Sequence, residues 1–367
     1  MKLRRVLILI PLALIVLLLL ILPGVLRTQE PIPGLTGSDR TLLRIWLMGS
    51  PGGGQSWLTQ QLHAWEKQHP GVTTYLRTVS PEEVQSSEAV LPDVLLYMPG
   101  DITEPGSLLQ PLTCPDGLRE ELLRCGRWRG EQLGLPLCWG AWVLAVDSAL
   151  EPGTALTPAP TTLLGKPAAT ASPTAAPGYP LTAAAGAECP LQSPGGAALF
   201  ALQLLLPPGE RPPFPEDLAQ KSPAEVYADW QARRCASAML TTGQATAFTS
   251  LVSGGKGFPF RILVPEEIVT DQVWLASLTA DAPPEAASLL AFLTGRDAQE
   301  ALAAQGLHTV RDDMRLYAAG FSAQVEQAAG TGLSAVNAYL PAGDVHSAAW
   351  QSLQGTLEFT SALLPLM

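Results

Sequence analysis

The side chains with chemical reach are few and widely spaced. Four histidines stand at His63, His69, His308 and His346. His63 and His69 are six residues apart, about 1.7 helical turns, so a helix would not present them on one face. That spacing suits structural histidines better than a ligand pair. Ser253-Gly-Gly-Lys256 has the Ser-x-x-Lys spacing of acylating serine enzymes. That chemistry needs a helix to set the lysine one turn behind the serine, and two intervening glycines oppose a helix; a loop is expected. Gly52-Gly-Gly54 lacks the following Gly-Lys-Ser/Thr of a phosphate loop. Cys114, Cys125, Cys138, Cys189 and Cys235 have neither CxxC nor His-rich spacing, which argues against a zinc site. Two bridges are open to them, 114–125 and 189–235, as is burial as thiols. No catalytic residue, metal or cofactor is expected.

Binding demands less than catalysis. A ligand with flat apolar faces and a hydroxyl rim takes aromatic rings on the faces and dipoles on the rim. Tyr97 ends a predicted strand, Trp139 lies on a predicted crossing and Trp350 precedes a predicted helix, so these rings could face a cleft. Core packing is the competing reading for each ring; it is preferred for Trp46, Trp57 and Trp65.

The elements that would position these residues follow from pattern. Residues 42–48 form a short apolar run with the length of a buried strand, broken by Gly49-Ser-Pro-Gly-Gly-Gly54. A helix is predicted over 55–68, with Leu58, Leu62 and Trp65 on one face, stopped at His69-Pro70-Gly71. Strands are predicted at 72–77 and 91–97. Strand alternating with helix indicates a parallel α/β sheet, whose ligands sit beyond the carboxyl ends of the strands. Residues 49–54 and 97–101 are loops of that kind. Residues 135–146 read as one long strand crossing between lobes, and 273–277 as a second crossing. Residues 152–196 are rich in Pro, Ala, Thr and Gly, the composition of a linker or loosely folded insert. Further helices are predicted over 197–206, 224–233, 284–293 and 296–305, and a last amphipathic one over 350–364.

At the amino end, Met1-Lys-Leu-Arg-Arg5 is a basic head, followed by an apolar run over 6–26 interrupted by Pro11, Pro23 and Gly24. A helix of about 21 residues spans roughly 30 Å of hydrocarbon. A cleaved signal usually has a shorter apolar region and a small-x-small site, and neither is present. The expectation is a single-pass anchor over 1–27, a tether over 28–40 and an extracytoplasmic body; a removed signal peptide is the alternative, and the body is exported either way. The formal charge is −11, so a general nucleic-acid partner, which needs basic patches, is not expected.

The motifs, taken in order, resemble the family-1 extracellular solute-binding proteins, the group that includes maltose-binding protein. The resemblance rests on Arg44-Ile-Trp-Leu-Met-Gly49, the run from Trp57 to Trp65, His69-Pro-Gly-Val72, Pro92-Asp-Val-Leu-Leu-Tyr97, Gly106-Ser-Leu-Leu-Gln-Pro-Leu112, Gly134-Leu-Pro136, Cys235-Ala-Ser-Ala-Met239 and Gly306-Leu-His-Thr-Val-Arg311. It covers 41–150 and 229–313 well and 338–366 faintly. It departs at the second-lobe entry, where Thr161-Thr-Leu-Leu-Gly165 and the Pro/Ala stretch stand, and at Cys235, where the family has Gly. The resemblance implies a two-lobed α/β periplasmic-binding-protein-like fold. Lobe 1 would be 41–140 plus 278–313, and lobe 2 a shortened 141–277 plus 314–367. It implies a monomer that is not an enzyme, captures a sugar-like solute in the cleft and hands it to the permease of an ATP-binding-cassette (ABC) importer. It places Ser50 and Pro51 in the first ligand loop, Tyr97 and Trp350 at stacking positions, Asp101 nearby and Trp139 on the crossing. Ala245 stands where some sugar binders carry an aromatic. A degenerate relative serving as a membrane-anchored interaction or sensory module is the second reading, and a cell-envelope enzyme the third.

Overall fold

In the computed structural model the described residues are 41–86, 91–148, 189–194, 196–205 and 221–340. The apolar run over 6–26, residues 152–188 of the insert and Trp350 lie outside them; the end of the insert is no linker, since Cys189–Gln192 forms a strand of the second sheet. Among the described residues no helix is long and apolar enough to cross a membrane.

The first sheet has the order β2-β1-β3-β12-β6, with β1 Thr41–Leu47, β2 Val72–Thr78, β3 Val94–Tyr97, β6 Leu135–Trp139 and β12 Val273–Leu278. Between β3 and β6 the chain makes a small ribbon of β4 Arg127–Trp128 and β5 Glu131–Gln132. β1 and β3 run parallel; β12 lies antiparallel between β3 and β6. β6 is an edge strand with a bulge opposite Trp274/Leu275, a position that tolerates Pro136 without a lost central ladder bond. Helix α1, Gly54–Gln68, buries Trp57, Leu58, Leu62 and Trp65, the face predicted from the i, i+4, i+7 spacing. The Trp57 indole N–H donates to the carbonyl of Ala298 at 2.8 Å. That bond ties the start of the chain to a helix 241 residues away.

The second sheet has the order β10-β7-β9-β8, formed by β7 Trp142–Asp147, β8 Cys189–Gln192, β9 Cys235–Thr241 and β10 Phe260–Leu263. A third, two-stranded sheet pairs β11 Ile268–Thr270 with β13 Leu333–Ala335 in parallel. Trp230, Phe248, Phe258 and Phe260 interlock edge to face beneath the second sheet, with centroids 4.9–6.1 Å apart, a geometry aromatic quadrupoles favour.

The other helices are α2 Pro81–Ser86, α3 Glu120–Leu123, α4 Ala197–Leu204, α5 Pro223–Gln231, α6 Thr242–Ser253, α7 Pro284–Leu293, α8 Arg296–Glu300 and α9 Gly320–Thr331. A 3₁₀ turn, Ala301–Gln305, follows α8 and ends at Gly306 with φ +69°, the left-handed stop that glycine permits. α6 ends at Ser253, and Gly255 has φ +71°; Ser253 and Lys256 therefore sit on opposite sides of a helix terminus. Ser253 Oγ donates to the Thr249 carbonyl instead.

Three expectations are corrected here. Residues 135–146 are not one strand: β6 belongs to the first sheet and β7 to the second, and the break falls at Gly140-Ala141. The Gly140 N–H donates to the Gln272 carbonyl at 2.8 Å, and Thr270 Oγ1 donates to the Gly140 carbonyl at 2.6 Å. These bonds use up the backbone groups a continuing ladder would need. Residues 135–146 still pass from one sheet to the other, but residues 273–277 do not. They lie inside β12, fully within the first sheet, so the lobe boundary precedes Val273. A bridge between Cys114 and Cys125 is likewise not formed: both are thiols, and Cys125 Sγ donates to the Val336 carbonyl at 2.8 Å.

Candidate functional site

The loops beyond β1 and β3 lie side by side. After β1 the chain turns through Gly49 to Gly53, and the Gly49 carbonyl accepts from the Trp274 indole at 2.7 Å. Gly53, with φ +85°, caps α1 without a side-chain bond. Ser50 is exposed and Pro51 is buried. After β3, the Met98 N–H donates to Asp101 Oδ2 at 2.8 Å, and Gly100, with φ +94°, donates its N–H to the Ala338 carbonyl. The Asp101 carboxylate reaches back to Gly49, where an added Cβ would stand 3.1 Å from Oδ2. Burial pushes the Asp101 carboxyl above the ordinary carboxylate range, and the Met98 N–H draws it part of the way back.

Beside Asp101 a cavity of about 270 Å³ opens within the first lobe. Met48, Val84, Ile102 and Leu108 supply apolar walls; Asp101, Thr103, Glu104 and Ser107 supply polar groups. The volume lies just under the roughly 300–1,000 Å³ typical of small-molecule sites. Of its lining, sequence reasoning found Asp101 alone. The 101–108 loop carries a polar residue at almost every other position, which was the available signal.

Tyr97 and Trp139 depart from expectation. Tyr97 is 0% exposed, and its hydroxyl meets Ser277 Oγ at 2.7 Å and the Tyr339 hydroxyl at 2.9 Å. The covering piece is residues 336–339, which return to the first lobe after β13: the Ala338 N–H donates to the Cys125 carbonyl and the Tyr339 hydroxyl to that of Gly126. Trp139 is 1% exposed, its indole N–H donates to the Thr309 carbonyl at 2.8 Å, and its ring lies 4.7 Å from His308. Both rings belong to one continuous core with no face left for a ligand. Asp101 thus meets the loop of Ser50 and Pro51 at Gly49 and lines the cavity, while Tyr97 and Trp139 lie in the core.

Across from these loops stands the start of α6. Thr241 caps it in a capping box with Gln244, satisfying two orphan N–H groups reciprocally. Ala245 is fully buried and belongs to the same core as the first lobe. Gly243 faces Gly52 so closely that an added Cβ would stand 2.8 Å from the Gly52 carbonyl oxygen.

Behind Trp139, the buried His308 packs against Tyr317, and its Nδ1 stands 3.6 Å from Glu326 Oε1. Burial pushes the imidazole below the ordinary histidine range; Glu326 opposes the shift and Arg119 adds to it. A histidine whose folded pKa is depressed stabilises the fold above its unfolded value, about 6.5. That contribution is lost as pH falls through the folded value, because the unfolded chain takes up the proton first. The Glu326 carboxyl sits below the ordinary glutamate range: burial alone would raise it, but His308 and the N–H groups of Leu316 and Tyr317 outweigh burial. Its stabilising effect therefore disappears at still lower pH, in the same direction. The melting temperature should fall on acidification from about pH 7.5 to about pH 5.5, and His308→Leu should flatten that fall. Thermal melts of both proteins across the range check it; parallel curves would remove His308 as the cause.

No protein-family model matches the sequence, and no curated protein does. Solved structures do match. The GacH receptor of Streptomyces glaucescens superposes with a TM-score of 0.61 at 13% identity, covering 88% of this chain and 96% of that one. The fold is the two-lobed periplasmic-binding-protein fold. The maltose/maltodextrin-binding domain MalE of Bdellovibrio bacteriovorus, bound to maltotriose, gives 0.57 at 14% identity over 88% and 97% of the two chains. Maltose-bound MalE3 of T. maritima gives 0.58 at 14% identity, with the same coverages.

Proposed function

We propose that this chain captures a small carbohydrate-like solute outside the cytoplasm and delivers it to an ABC importer, as a monomer held at the membrane by residues 6–26. The observation that carries the reading is the cavity beside Asp101, with apolar walls, a polar rim and a partly desolvated carboxylate at the carboxyl end of β3. A carboxylate that accepts sugar hydroxyls, in front of Met and Leu surface, meets both demands of a saccharide. The structural neighbours support the class, because those structures hold acarbose, maltotriose and maltose. The cavity limits the solute to about one sugar ring. Ser50 and Pro51 are proposed to extend the same edge, and Trp350, outside the described residues, is proposed as a stacking ring.

The test is calorimetric titration and thermal shift of the full chain with a panel of mono- to trisaccharides. A ligand at 100 times its dissociation constant adds about 2.7 kcal/mol to stability. One member should stabilise the protein saturably, and Asp101→Asn should weaken it about tenfold, since losing a charge-assisted hydrogen bond removes about 1.5–3 kcal/mol. A flat response across the panel would reject solute capture. The reading would then pass to the membrane-anchored interaction module.

A further inference from the structure

The contact between the lobes is built from residues that leave no space between them. Gly243, in the first turn of α6, abuts the backbone of Gly52 in the loop after β1. One turn on, Thr246 fills the space where Gly306 would carry a side chain, with its own Cβ 2.6 Å from that position. Between them Ala245 is fully buried in a core continuous with β1, β3 and β12. The break between β6 and β7 is tied as well: Ala141 and Thr242 exchange hydrogen bonds, the Thr242 N–H to the Ala141 carbonyl at 2.9 Å and the Ala141 N–H to Thr242 Oγ1 at 3.3 Å. Thr242 is itself fully buried, and a Cβ at Gly140 would stand 3.0 Å from its Oγ1. Gly243 at the helix start and Gly306 in the turn after α8 therefore fit by having no side chain, whereas a Cβ at Gly52 would meet nothing. Side chains of ordinary size at these points would hold the lobes apart.

We propose that the two lobes rest closed on one another without a solute between them, the first turn of α6 acting as the built-in wedge that fills the cleft. The solute cavity beside Asp101 is lined by the first lobe alone and needs no opening. Closure is then a property of this chain's own packing and not a response to ligand, since a ligand shifts a two-state equilibrium only by its differential affinity for the two states. The inference goes beyond the proposed function and does not depend on which saccharide binds.

Single-molecule energy transfer on the full chain tests it, with dyes on non-cysteine handles at Gln60 of α1 and Ser250 of α6, both exposed. Without any saccharide, one high-transfer population is expected, and 10 mM maltotriose should leave it in place. Ala245→Trp should add a population of lower transfer. Should that variant not fold, Thr246→Arg, at the half-buried rim of the seam, is the second probe. A low-transfer population in the unmodified protein that moves to high transfer on adding saccharide overturns the proposal, as does a foldable seam variant that stays closed. Absence of saccharide binding in the panel would sink the proposed function and leave this inference standing; an open resting state would sink this inference even where a saccharide binds.

Discussion

Replacing Tyr97 by alanine is expected to cost the fold about 3–5 kcal/mol, the usual result of truncating a fully buried aromatic ring. For a body of this size that is a drop in melting temperature on the order of 10 °C. The ring is enclosed by β12 on one side and by residues 336–339 on the other, and its hydroxyl joins a set in which Ser277 donates to the Leu133 carbonyl and Tyr339 to that of Gly126. Burial pushes the Tyr97 hydroxyl above the ordinary tyrosine range, so it stays protonated and acts only as a hydrogen-bond partner. Tyr97→Phe keeps the ring and should cost about 1–2 kcal/mol, because the one proton of the Tyr97 hydroxyl is lost to whichever buried oxygen, Ser277 or Tyr339, accepts it. Ser50→Ala, at an exposed loop position, should stay within about 0.5 kcal/mol. Denaturant melts of the three variants check this order. A Tyr97→Ala protein as stable as its parent but unable to hold saccharide would show that the ring faces solute and that the core assignment is mistaken.

The difference between that expectation and the stacking role assigned from sequence marks where sequence reading stops. The strand–helix–strand order of 41–97 was legible because each apolar run is short and ends at a Gly or Pro cluster. The limits of α7 were legible for the same reason: Pro283 and Pro284 begin it and Gly295 follows it. Trp65 was placed on the buried face by its helical spacing with Leu58 and Leu62, and Trp57 was assigned to the core; both are fully buried. Tyr97 was placed correctly at a strand end, but its cover arrives from 242 residues away. No local pattern announces a partner at that distance. The seam was silent for another reason: nothing in the sequence around Gly243 marks it as facing Gly52, and only their juxtaposition gives it meaning. The division at Gly140 was hidden because β6 and β7 are both wholly buried, so the two strands read as one apolar run.

Gly126→Ala is expected to be among the most damaging single-methyl additions in the molecule, at about 3 kcal/mol, the upper end for overpacking a closed core. Gly126 sits where the β4–β5 ribbon folds the chain back on itself, through Arg129 and Gly130 at φ +50° and +87°. Its carbonyl accepts from the N–H groups of both Leu133 and Gly134 at 3.0 Å. An added Cβ would fall on the Gly134 carbonyl. That obstacle is backbone, so no side-chain rotation relieves it. Moving Gly134 is blocked in turn, since its other side meets the Tyr97 hydroxyl and Leu275. Relief would require shifting the ribbon, which also carries Gln132, whose amide donates to the carbonyls of Leu123 and Gly134. Gly106→Ala makes the control, because a Cβ there meets only the Trp128 ring at 3.7 Å, ordinary van der Waals contact. It should be neutral, or stabilise by a few tenths of a kcal/mol through reduced freedom of the unfolded chain. Urea denaturation of the pair separates the effects: equal midpoints would mean that the ribbon yields and that the Gly126–Gly134 approach is not a fixed point of the lobe.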